Sequence, residues 1–232
     1  RNPSLVAPTC WHLLNQEGDL AQTGWDNPAI EKLWRYNQHY FDDLNSADAA
    51  GRRGWHRDLI DRWIAENECD ASAIQCWRSL QDNFGCATCL TMSMMGEDLM
   101  PSACEVDIMG ALSMYALALA SGAPPAILDW NNNYAYEEDI CVCTHCGNYP
   151  KSFIGDTPEI SELDVLGEVI GREKCFGAVK GKVKAGPMTY FRLSTDDRAG
   201  TVKCYLGEGA FTDHPFPMDG GIAVTQVPDL RR

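Results

Sequence analysis

The sequence is short of cations. Its 19 lysines and arginines stand against 33 aspartates and glutamates, for a formal net charge of −14 at pH 7. That balance argues against a nucleic-acid partner, which needs a basic footprint, and against an anionic membrane surface. A neutral substrate or a bound cation remains compatible, because bulk charge does not identify a ligand. Long apolar segments are also wanting. The uncharged run Ile108–Leu128 is nominally long enough to cross a bilayer. Gly122 and the Pro124-Pro125 pair break it after about four helical turns, so it reads as a buried helix followed by a strand. Internal repeats and low-complexity tracts are missing. Arg1-Asn2-Pro3 opens onto no apolar leader, and the expected location is the cytoplasm.

Cysteine is not scarce: there are eleven. At 232 residues the chain can bury a real core, as one large domain or two small ones, so disulfide staples are unnecessary. Cys86, Cys89, Cys104, Cys175 and Cys204 sit beside apolar residues, where a reduced thiol behaves as a small hydrophobe. The cluster Cys141-Val142-Cys143-Thr144-His145-Cys146 invites a zinc reading. Zinc wants four ligands, usually as two separated pairs, and no second pair follows. Thiols buried on a strand are the preferred reading.

The texture changes near Asn67–Cys69. Five of seven tryptophans and three of five histidines precede this point; ten of eleven cysteines follow it. Residues 1–68 are expected to form an α-hairpin. Asn27 would cap a helix with Pro28 at its first position, and Ile30, Leu33, Trp34, Phe41 and Leu44 recur at helical spacing. A loop over Ala47–Gly54 and a second helix bearing Trp55, Leu59, Ile60, Trp63 and Ile64 follow. Two such helices make no independent core, so their apolar faces need a partner. Residues 69–138 read as an α/β segment, with a helix over Ala73–Asp82 ended by Gly85, a strand end at Ala103–Glu105, a helix over Asp107–Ala120 and a strand over Pro125–Trp130. Residues 139–232 read as mainly β. Strands are expected at Ile140–Thr144, Phe176–Lys184, Met188–Ser194, Val202–Leu206 and Ile222–Val227, with a hairpin loop at Asp196–Gly200. Gly207 and Gly209 read as turn residues.

Glu105 and Asp129 each stand where apolar residues give way to polar ones. In open α/β sheets, sites collect at the carboxyl ends of strands. The strand–helix–strand unit Ala103–Trp130 would bring both carboxylates to neighbouring strand ends, a spacing that suits a hard divalent cation such as Mn²⁺ or Mg²⁺. Spacing alone favours the plainer alternative of two solvated acids at loop starts.

Five ordered blocks carry a resemblance: Ser102–Ile108, Leu128–Tyr134, His145–Asn148, Lys184–Thr189 and Gly207–Asp213. Together, Cys69–Arg232 resembles the later half of the L-fucose/D-arabinose isomerase family. The resemblance implies an α/β region followed by a mainly antiparallel, barrel-like β region. It implies an Mn²⁺-dependent aldose–ketose isomerase acting on a small sugar through an ene-diol, as a homo-oligomer. Glu105 and Asp129 would bind the metal and serve as acid and base. Gln75, Trp130 and His145 would contact substrate. It also implies a third metal ligand, a histidine, in a segment expected after Arg232; two carboxylates without it would hold Mn²⁺ weakly.

Residues 1–67 resemble a different family. Asn15–Leu20, Gly24–Pro28, Leu33–Leu44 and Trp63–Asn67 look like the amino-terminal helical region of heparinase II/III-type polysaccharide lyases, which begins an α/α toroid. None of that family's catalytic residues falls on this stretch. The change near Asn67–Cys69 then reads as a junction between unrelated pieces, leaving a lyase fragment or a non-catalytic chain as alternatives.

Overall fold

The computed structural model describes residues 2–228, which divide into two compact units. The first is Arg1–Cys69 with Ser79–Phe84; the second is Asp70–Arg78 with Gly85–Arg232.

The first unit opens with an antiparallel three-stranded meander: β1 (Leu5–Ala7), β2 (Cys10–Leu13) and β3 (Gln16–Asp19). A short α1 (Leu20–Thr23) follows, then α2 (Lys32–His39), α3 (Arg53–Glu66) and α4 (Ser79–Phe84). The expected α-hairpin is thus only part of the unit. Its missing partner is the meander: Leu5, Trp11 and Leu13 pack with Leu20, Trp25, Trp34 and Leu59. The first long helix also starts later than expected. The Asn27 side chain accepts from Ala29 N at 2.9 Å in a local turn. Glu31 then caps α2, its Oε2 accepting from Trp34 N at 2.8 Å. Phe41, expected within that helix, adopts a left-handed φ of 48° beyond its end.

A buried carboxylate organises this unit. Asp43, 1% exposed, accepts from Ser4 N (2.6 Å), Leu5 N (2.8 Å), Arg52 Nε (2.8 Å) and His56 Nε2 (2.8 Å). It therefore joins the first strand to α3 across nearly forty residues of chain. Burial alone would raise the Asp43 pKa; His56, Arg52 and the two backbone donors outweigh it and hold the carboxyl well below its ordinary 3.8.

In the second unit, β4 (Ser72–Ala73) and β5 (Ser102–Ala103) pair in parallel, with α5 (Cys89–Glu97) between them in sequence. The helix α6 (Ile108–Ser121) comes next. Asp107 caps it, accepting from Gly110 N at 2.8 Å, and Gly122 ends it at a left-handed φ of 65°. No helix among the described residues is long and apolar enough to cross a membrane.

The remaining elements are β6 (Asp129–Asn133), β7 (Ile140–His145), β8 (Glu159–Glu162), α7 (Asp164–Ile170), β9 (Phe176–Lys182), β10 (Gly186–Asp196), β11 (Thr201–Phe211) and β12 (Gly221–Gln226). Seven of these strands build one sheet, ordered β10-β11-β12-β7-β6, with β9 joining β12 in parallel and β8 joining β9. Every other pairing in it is antiparallel. The strands expected in residues 139–232 and the hairpin loop after Asp196 are present, but the strand expected over Pro125–Trp130 runs Asp129–Asn133 instead, so Asp129 begins it rather than ends it. Among the described residues there is no barrel-like closure: β10 and β6 end the path unjoined, and the sheet branches at β12. Gly207 and Gly209 lie inside β11 rather than at a turn. There, the Tyr190 hydroxyl fills the space that a Cβ on Gly207 would need.

The helix expected over Ala73–Asp82 shifts for a tertiary reason. Ser72 N donates to Pro101 O and Ile74 N to Ala103 O, each at 2.9 Å, so β5 draws this segment into a strand and helix begins only at Ser79. Among the thiols expected to be buried, Cys89, Cys104 and Cys175 are; Cys86 and Cys204 are exposed. Cys141 and Cys143 point the same way along β7, 3.8 Å apart at sulfur, both against Thr225 Oγ1.

Replacing Asp43 by Ala strands Arg52 and His56 and is expected to destabilise the first unit by about 3–5 kcal/mol. In the wild type, a depressed folded pKa stabilises above the ordinary 3.8, and that stability is lost as the pH falls below it. Urea titrations followed by tryptophan fluorescence check both, since five of the seven tryptophans lie in this unit; an unchanged midpoint in Asp43→Ala would refute the assignment.

Candidate active site

Glu105 and Asp129 reach the site from different sheets, not from neighbouring strands of one sheet. Glu105 follows β5 in the two-stranded sheet; Asp129 is the first residue of β6 in the large one. The two carboxylates therefore do not stand at neighbouring strand ends, as the crossover reading of the sequence expected.

A strained turn presents Glu105. Glu105 and Val106 both have left-handed backbones, φ 60° and 57°, and for a β-branched valine this costs on the order of 1–3 kcal/mol. Three contacts hold the turn: Val106 N donates to Ile74 O at 3.2 Å, Asp107 N to Cys104 O at 3.1 Å, and Glu105 N to the Cys76 sulfur. Immediately beyond it, Asp107 receives both guanidinium nitrogens of Arg192 on β10. Burial would raise the Asp107 pKa, yet Arg192 and Gly110 N bring it below its ordinary value. Ser113 adds a second tie, accepting from Leu193 N at 2.9 Å. The start of α6 is thereby fixed to β10.

A bulge presents Asp129. The β6–β7 register runs Asp129↔Thr144 and Trp130↔Cys143, then slips before Asn132↔Val142. The extra residue, Asn131, turns its side chain back to accept from Thr144 N (2.9 Å) and Thr144 Oγ1 (2.6 Å). Bulges of this kind re-aim neighbouring side chains. Because Asp129 sits opposite Thr144, it is one residue from His145 across the ladder.

His145 is the group on which the charges of both acids are felt. Burial lowers its pKa, but Cys146, Asp129 and Glu105 together raise it above the ordinary 6.5. Both carboxylates are themselves exposed. Gln75 lies on the same side, because the β4–β5 pairing carries it beside the Glu105 turn; its side chain is exposed. Trp130 parts company with the others. Its ring packs edge-on to Tyr190 at 5.6 Å and lines a cavity of about 590 Å³ shared with Met114, Ile127, Tyr205 and Phe211. None of Glu105, Asp129 and His145 lines that apolar cavity.

Two carboxylates and an imidazole are the right donors for a hard or borderline divalent ion. Among the described residues, however, no group of three or more His, Cys, Asp or Glu side chains is placed to hold a metal.

The sequence did not disclose the thiols around this site. Cys76, Cys89 and Cys104 are buried in one cluster with Cys146 packed against it. Cys104 is hydrogen-bonded to both Cys146 and Cys76, which raises its own pKa. Cys104 and the His145 ring together lower that of Cys146, to about 5. The available signal was adjacency: Gln75, Glu105 and His145 each have a cysteine as chain neighbour. Asn148 and Tyr149, just beyond, bury an amide and a hydroxyl without hydrogen-bond partners among the described residues.

Comparison with known proteins gives this geometry a lineage. Residues 143–232 match the family model described as L-fucose isomerase, C-terminal domain. This part of the chain is L-fucose isomerase-like. The chain is 32% identical over 171 residues to a sulfoquinovose isomerase of Alkalicoccus urumqiensis, an alignment covering 71% of this chain and 36% of the relative. It is 31% identical over 158 residues to the sulfoquinovose isomerase of Priestia aryabhattai, covering 68% and 34%. The chain thus spans about a third of the length of the relatives it matches. None of these matches is to a polysaccharide lyase, so the resemblance of residues 1–67 finds no support in them.

Because its folded pKa is raised, ionised His145 contributes stability below pH 6.5, and that contribution is lost as the pH rises through the folded value. Proton NMR of the His145 ring should give a titration midpoint above 6.5, lowered in Asp129→Asn and in Glu105→Gln. A midpoint at or below 6.5 would show that the acids do not converge there.

Proposed function

We propose that the isomerase-like unit contributes two carboxylates, Glu105 and Asp129, to the metal site of an aldose–ketose isomerase acting on a small sugar. What supports this reading is the placing of Asp129 opposite Thr144, one residue from His145, and of Glu105 on a left-handed turn whose charge, like that of Asp129, helps raise the His145 pKa. The named activity of the relatives supports the reaction class. Their name adds sulfoquinovose to L-fucose and D-arabinose as sugars to test.

Bound Mn²⁺ or a similar divalent cation would supply charge that acidifies the sugar's C–H next to its carbonyl. Glu105 and Asp129 would hold that ion, with a further donor from outside the described residues. In the same reading, one carboxylate takes the proton from C2 and returns it to C1. A carboxylate suffices as the base because acidification falls on the substrate. Exposure of both acids leaves them open to a sugar arriving from solvent, and His145, whose Nδ1 accepts from Cys146 N, would donate from Nε2 to a sugar oxygen. Gln75 would bind a hydroxyl. Assembly into a homo-oligomer belongs to the same proposal.

Calorimetric titration of the chain with Mn²⁺ alone should show weak binding that falls at least about tenfold in Glu105→Ala and in Asp129→Ala, the loss expected for one first-order ligand. Equal affinity in both variants and wild type would remove the metal site. If the protein isomerises the sugar in D₂O, the product should carry solvent deuterium at C1; product without deuterium would exclude an exchanging ene-diol.

A further inference from the structure

We infer that Cys104 and Cys146 form a peroxide-sensitive dithiol, whose closure to a disulfide fastens the Glu105 turn to the end of β7. Cys104 is 1% exposed and hydrogen-bonded at sulfur to Cys146, which is only partly buried and packs on the cluster of Cys76, Cys89 and Cys104. An oxidant arriving from solvent therefore meets Cys146 first, with a second thiol already at contact behind it. That is the arrangement of an attacked sulfur and a resolving one. The Cys146 N–H donates to His145 Nδ1 at 2.9 Å, so the ring stays beside the sulfur during the reaction.

The chemistry balances with hydrogen peroxide as oxidant. The Cys146 sulfur attacks one peroxide oxygen, the O–O bond breaks, Cys146 becomes a sulfenic acid, and the other oxygen leaves as water. The Cys104 sulfur then attacks the Cys146 sulfur. The S–O bond breaks, the S–S bond forms, and a second water departs with the Cys104 proton. Two thiols are oxidised by two electrons, and one peroxide is reduced to two waters. Since Cys104 immediately precedes the strained Glu105–Val106 turn, pulling its sulfur toward β7 also shifts the carboxylate's backbone. This last consequence rests on the proposed metal site; the disulfide itself does not.

The test uses the reduced chain and one equivalent of hydrogen peroxide. The intact mass should drop by about 2 Da, two hydrogens, reversibly with a thiol reductant. Non-reducing peptide mapping should place the bond between Cys104 and Cys146. A Cys76–Cys104 or Cys141–Cys143 bond, oxidation confined to the exposed Cys86 or Cys204, or no oxidation at all would each overturn the inference. In Cys104→Ala, dimedone should trap a sulfenic acid on Cys146; wild-type mapping decides the matter if that variant does not fold. Mn²⁺ titration of the oxidised chain should show weaker binding than the reduced form. Unchanged affinity with the bond in place would overturn only the link to the carboxylate site.

Discussion

The Glu105–Val106 turn is the constraint on which the second unit's chemistry depends. Two consecutive left-handed residues would unwind unless the surroundings over-determine them. Ile74 and Cys76 hold the turn from the segment after β4, and Arg192 holds it from β10 through Asp107, the N-cap of α6. These contacts come from two distant parts of the chain, so the position of one carboxylate depends on the folding of both. The strained turn thereby fixes where Glu105 stands.

A second device is the alternation of β6. Asp129 and Trp130 precede the bulge and keep a regular register with Thr144 and Cys143, so their side chains leave opposite faces of the strand. The indole lines the apolar cavity and the acid does not, while Asn131 folds back onto Thr144. One short strand thus divides a polar site from a hydrophobic one.

Much of the second unit was legible because its strands alternate β-branched, aromatic and polar residues; Met188–Ser194 and Ile222–Val227 announce themselves. The Asp107–Ala120 helix was legible from its uncharged run and the glycine that ends it, but not from its Asp107 cap. What sequence pattern could not show was pairing. Ser72–Ala73 has helical company in Ala73–Asp82, but β5 claims it, and backbone partners override local preference. In the first unit the strands are three or four residues long, and Gln16–Asp19 has no apolar alternation, so periodicity gave no warning of a meander. Glu105 and Asp129 were singled out through resemblance. Their places on two different sheets were beyond a reading based on adjacent strand ends. The thiol cluster was invisible because its members are spread over seventy residues of chain and meet only in three dimensions.

The β10–β11 ladder pairs eleven residues on each side, while β12 takes only Ala210 and Phe211 of β11. Most of this hairpin is therefore a two-stranded arm, with Val202 and Leu206 facing solvent. All its ladder contacts are close in sequence, so closing it orders only a short loop. Arg192 and Leu193 near its middle carry the ties to α6. An early-forming hairpin could thus act as the rail against which the helix, and with it the acidic turn at the helix's head, is later set.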